Sequence, residues 1–77
     1  MIYPIKCHNF QQVALVSLKF EELYSKEKNH KIYGKDGSIW VNVNGHEFAF
    51  YYKGKYENSI KVEDFAKKYF TQKSQVL

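Results

Sequence analysis

The sequence contains no arginine: all twelve of its basic residues are lysine. Arginine recognises guanine and phosphate in bidentate fashion, so its absence argues against sequence-specific readout of nucleic acid. Lysine still neutralises phosphates as a point charge. A single cysteine, Cys7, excludes an internal disulfide, and no apolar run approaches the ~20 residues a membrane-crossing helix needs. The lone thiol and the lack of a signal-type apolar segment point to a reducing, cytoplasmic location. Glycine is scarce, and Gly34, Gly37, Gly45 and Gly54 all read as turn positions, which leaves no glycine-rich phosphate loop. There is no internal repeat, linker or low-complexity segment.

What the chain does have is rings: seven tyrosines, six phenylalanines and one tryptophan in 77 residues. They must supply the core of one small domain, residues 1–77, of a size that buries roughly 60% of its unfolded surface. The net charge of +4 and a pI near 9.2 favour acidic partners. Abundant Lys, Tyr, Phe, Asn and Ile is the bias expected of an AT-rich genome.

Local structure is written most clearly in Ser38 to Lys53. Asn44-Gly45 between two alternating apolar runs predicts a two-residue hairpin turn with positive φ at both central residues. If Val43 pairs with His46, then Ile39, Val41, Val43, Phe48, Phe50 and Tyr52 share one side, the core side. The other side carries Ser38, Trp40, Asn42, Glu47, Ala49, Tyr51 and Lys53. Upstream, Asp36-Gly37 predicts a second hairpin that pairs Lys35 with Ser38, Tyr33 with Trp40 and Ile32 with Val41. That register adds Ile32 to the core and Tyr33 to the outer side.

The flanks are helical. Asn9 reads as an N-cap, with Gln12 completing a variant capping box, and Phe10, Val13, Val16, Phe20, Leu23 and Tyr24 form a face at helical spacing up to about Lys28. A strand over Val13 to Phe20 is the alternative reading, because apolar residues also alternate there. Val62 to about Lys73 is a second helix with an apolar stripe of Val62, Phe65, Ala66, Tyr69 and Phe70; Glu63 and Asp64 suit its positive end. Residues 71–77 lose the stripe and are expected to fray. GKYENS reads as a loop, Ser59 to Val62 as a short further strand, and MIYPIK, with Pro4 unable to donate to a ladder, as at best a short edge strand. The expected fold is α+β: a three-stranded antiparallel meander with two helices packed on one face, αβββα, plus that N-terminal edge strand.

Two surfaces follow as candidate contacts. Tyr33, Trp40 and Tyr51, framed by Lys31, Lys35 and Lys53, combine rings with cations, as protein hot spots and single-strand platforms both do. Leu15 and Leu18 lie outside the main helical face and form a second. Cys7, His8, His30 and His46 match no metal-ligand spacing, so no metal or other cofactor is expected. No motif joins a nucleophile to a base and an orienting group, so no enzyme is expected either.

The order helix, three strands, helix resembles that of double-stranded-RNA-binding domains and of small HicA-type RNA-cleaving toxins. Gly45-His46 is similar to part of the toxins' glycine-serine-histidine segment, with the serine absent; that resemblance implies a ribonuclease using His46. The RNA-binding domains place lysines at the start of their last helix, where this chain has Glu63 and Asp64. No site residue is carried over from either. The leading expectation is a non-enzymatic intracellular binding module, a small phage- or mobile-element-type inhibitor or adaptor that occupies a protein partner through the Trp40 face. The alternative is a lysine-based nucleic-acid binder of low sequence specificity. A homodimer is a further option, because a second copy is one way to cover the Trp40 face.

Overall fold

The computed structural model describes residues 1–26 and 30–70. Their order is β1 (Ile2–Lys6), α1 (Phe10–Leu23), β2 (His30–Lys35), β3 (Ser38–Val43), β4 (His46–Tyr51), β5 (Ile60–Lys61) and α2 (Val62–Tyr69). The fold is α+β, as expected, but the sheet is five-stranded and mixed, in the order β2-β3-β4-β1-β5. The meander β2-β3-β4 therefore makes up three of the five strands of a larger sheet.

Both hairpins form in the register that their turns dictate. Asp36 and Gly37 have φ of 52° and 76°, Asn44 and Gly45 of 51° and 87°, the left-handed pairs that a two-residue turn between twisted strands requires. Tyr33 lies opposite Trp40, Val41 opposite Phe48 and Ile39 opposite Phe50. Gly34, read from the sequence as a turn residue, lies inside β2.

The N-terminal strand is the main departure. β1 is no edge strand: it runs parallel to β4 on one side and to β5 on the other. The N–H of Glu47 donates to the carbonyl of Met1 (2.9 Å) and that of Cys7 to Tyr51 (2.7 Å), so the odd-numbered residues bond to β4 and Pro4 turns its missing N–H the other way. There β5 reaches only Ile5 and Lys6, so no ladder bond is lost at Pro4.

Residues Val13 to Phe20 are helix. The Asn9 carboxamide accepts from the Gln12 N–H (2.8 Å), and the Gln12 side chain accepts from the N–H of His8 (2.8 Å), one residue earlier than in the usual capping box. The buried face is Val13, Ser17 and Phe20, with Val16 and Tyr24 half-buried; Phe10 is 49% exposed. Ser17 was hidden from a hydrophobic reading because it is polar. Its hydroxyl donates to the Ala14 carbonyl (3.2 Å), which makes its burial tolerable. α1 ends at Leu23, with Tyr24 as its C-cap, and α2 at Tyr69, with Phe70 as its C-cap, so both stop earlier than the expected Lys28 and Lys73; the expected fraying of 71–77 lies outside the described residues.

Both helices cover the side bearing Val41, Phe48 and Phe50. Phe20 sits at its centre, with ring centroids 4.6 Å from Phe48, 5.7 Å from Phe50, 5.2 Å from Phe65 and 5.5 Å from Tyr69. Ile5, Val62 and Phe65 complete this layer, all essentially inaccessible. Ile5→Ala should cost about 2–5 kcal/mol in urea unfolding, as for other core truncations, because β1 is interior. A loss below about 1 kcal/mol would instead fit a peripheral strand.

Candidate functional site

The opposite side of the sheet carries the ring cluster. The Tyr33 and Trp40 rings lie nearly parallel, 14° apart, with centroids at 6.3 Å. Tyr33 is held in place by its hydroxyl, which donates to Glu47 Oε1 at 2.7 Å, and the Lys31 ammonium sits 5.4 Å from its ring centroid. That hydrogen bond raises the Tyr33 phenol above its ordinary pKa, because ionisation would lose the bond and set two negative charges together. Glu47→Ala, which removes both the acceptor and the charge, should lower the Tyr33 pKa back towards the tyrosine range in an alkaline absorbance titration. An unchanged titration would mean that Glu47 does not anchor the ring.

Tyr51 belongs to this side, as its register requires, but it is only 1% exposed and offers no surface to a partner. Tyr56 covers it edge-on, with centroids 4.7 Å apart, and stands beside Trp40 at 6.5 Å. The accessible cluster is therefore Tyr33, Trp40 and Tyr56. Tyr56 could not be found by register reasoning, since it sits in the irregular segment between β4 and β5.

That segment crosses the outer face because β4, β1 and β5 are parallel, and β5 lies on the far side of β1. Parallel strands are joined only by crossovers, and the helices fill the other face. Gly54 (φ 96°) and Asn58 (φ 60°) turn the chain. Lys6, on β1 beneath the crossing, donates to the carbonyls of Tyr52 (2.6 Å) and Gly54 (3.3 Å), and its ammonium lies 5.0 Å from the Tyr51 ring centroid. Lys6 is thus both a clamp and a charge on this face.

Two hollows flank Tyr56. The larger, about 580 Å³, is open to solvent and lined, with no carboxylate, by Lys6, Lys53 and Lys55 together with Tyr51, Tyr56 and residue Tyr52, whose ring packs against Phe10 on the helix side. The smaller, about 280 Å³, lies between Tyr56 and Trp40 and includes Lys35 and Asp36. Lys31 and Lys53, predicted as one frame, stand at opposite ends of the face. Leu15 and Leu18 are 70% and 52% exposed on α1, on the helix side of the sheet. The two sequence-predicted contact regions are thus on opposite faces.

The titratable groups outside this face are scattered. His8 bonds to Glu63, whose carboxyl is lowered first by that bond and then by backbone hydrogen bonding. His30 pairs with Glu21 at 3.2 Å, and the His46 ring lies 5.9 Å from Tyr3 on the core side of the hairpin end. Burial, and then the charge of Glu63, push the Cys7 thiol up to about 11, the opposite of what activates a nucleophile. Among the described residues, no three His, Cys, Asp or Glu side chains are grouped to hold a metal, and no helix is long and apolar enough to cross a membrane. No family model, curated protein or solved structure matches the chain.

Tyr56→Ala should shift Trp40 emission to the red, increase its quenching by acrylamide and lower stability by about 1 kcal/mol, as expected for lost ring contacts. Unchanged emission would mean that Tyr56 does not shelter Trp40 in solution.

Proposed function

We propose that the chain is a non-enzymatic binding module, a small inhibitor or adaptor of the phage or mobile-element type. It acts in the cytoplasm by occupying an acidic surface of a protein complex with its Trp40 face. The observation that carries this reading is the coincidence of rings and an excess of positive charge on one side of the sheet, where the lysines outnumber the carboxylates of Glu47 and Asp36. Trp40, Tyr33 and Tyr56 lie among Lys6, Lys31, Lys35, Lys53 and Lys55, whereas Lys67 and Lys68 on α2 follow Glu63 and Asp64 at helical spacing. Tryptophan and tyrosine dominate the energetics of protein contacts, and lysines at the rim of such a patch speed encounter with an acidic partner. The buried, protonated thiol and the scattered histidines support a non-enzymatic reading.

A second reading is favoured by one specific feature, the lysine-lined hollow beside Tyr56, which suits the backbone of a single-stranded nucleic acid with a base against Trp40.

Affinity capture from a host lysate, with and without nuclease, separates the two. The protein reading expects a partner that survives nuclease and is lost with Trp40→Ala. The nucleic-acid reading expects capture that nuclease abolishes. It also expects quenching of Trp40 by single-stranded RNA or DNA that weakens with salt, by a slope of about 0.7 per phosphate contacted. Nuclease-resistant capture that is indifferent to Trp40→Ala would refute the assignment of this face.

A further inference from the structure

Among the described residues, β2 is the outermost strand on its side of the sheet, and β3 is its sheet neighbour. Its two-residue turn makes Lys35 and Ser38 the hydrogen-bonded pair that closes the hairpin, so odd-numbered residues of β2 bond to β3. The N–H and C=O groups of Ile32 and Gly34 therefore face the open edge. An edge of this kind is a template for another strand.

Exposed apolar surface lies beside the same edge. Ile32, on the helix side of β2, is 36% exposed, and Leu18 is 52% exposed. The pairing of Glu21 with His30 turns one flank of α1 towards β2. Leu18, one turn before Glu21, lies on that flank, with Leu15 next to it. An open edge and an exposed leucine pair thus occur together.

We propose that a second copy of this chain occupies this edge, with β2 pairing antiparallel to β2 about a twofold axis through Ile32. The lysines choose this register. Opposed residues must share a face, so the axis passes through a residue. An axis at Tyr33 would set Lys31 directly against Lys35 of the second copy, a like-charge pair. An axis at Gly34 would set Ile32 against the Asp36 turn. An axis at Ile32 sets Ile32 against itself, and Lys31 meets Tyr33 of the second copy, the same cation-to-ring contact that Lys31 makes within its own chain. The two leucine flanks then face one another on the helix side. The two Trp40 faces become one continuous sheet surface, although the pairing does not depend on what that surface binds.

Because Ile32 meets itself, charge reversal tests the register directly. In sedimentation equilibrium the wild-type chain should reach twice its 9.2 kDa mass. Ile32→Glu and Ile32→Lys should each weaken association by about tenfold or more, since each opposes like charges. An equimolar mixture of the two should recover the dimer. Ile32→Thr, a strand-compatible polar substitution, should weaken it without any charge, and circular dichroism checks that each variant is folded. A wild-type chain that stays monomeric up to its solubility limit would overturn the proposal. A dimer indifferent to these variants, or a charged mixture that does not reassociate, would also overturn it.

Discussion

β4, β1 and β5 lie side by side and parallel, so the chain leaving β4 has to cross β1 before it can start β5. The helices, packed around Phe20, occupy the other face, and this crossing is therefore forced onto the side that carries Trp40. The relief of that side follows. The crossing segment lays Tyr56 over Tyr51, opens a hollow on each side of Tyr56, and brings Lys53 and Lys55 near Lys6. Lys6 holds the crossing by donating to two of its carbonyls. A cation is tolerated there because it remains partly solvated while it satisfies backbone acceptors.

The same constraint explains what could and could not be read from the sequence. The meander was legible to the residue, because Asp36-Gly37 and Asn44-Gly45 leave one turn geometry and a period-two pattern then fixes each face. The Asn9 cap and the α2 stripe were legible for the same reason, a local rule with a local cause. β1 was not. Whether a five-residue strand lies at an edge or in the interior depends on its partners, and a proline that would argue for an edge is harmless when its nitrogen, which carries no hydrogen, faces away from the longer neighbour. With β1 misplaced, no crossover was required, so Tyr56 remained an anonymous loop residue and Tyr51 appeared accessible. Trp40, Tyr33 and the lysines were assigned to the correct side; the part of the site built by long-range topology was not.

The resulting surface is shaped by neighbours that restrain it. Tyr33 is tied to Glu47, Trp40 is flanked by Tyr33 and Tyr56, and the crossing is pinned by Lys6. Rings that are ordered before contact lose less entropy on binding, which favours affinity per unit area in so small a domain. Lys31 and Lys53 mark opposite ends of this surface, so a partner that engages both must span the sheet. Leu15 and Leu18 face the other way, exposed on the helix side of the sheet.

The most direct test of this account is amide chemical-shift mapping of the labelled chain against its captured partner. The largest changes should fall on β2, β3 and residues 53–59, around Tyr33, Trp40 and Tyr56, while α1 stays unmoved. Changes centred on Leu15 and Leu18, with the Trp40 indole signal unchanged, would contradict it.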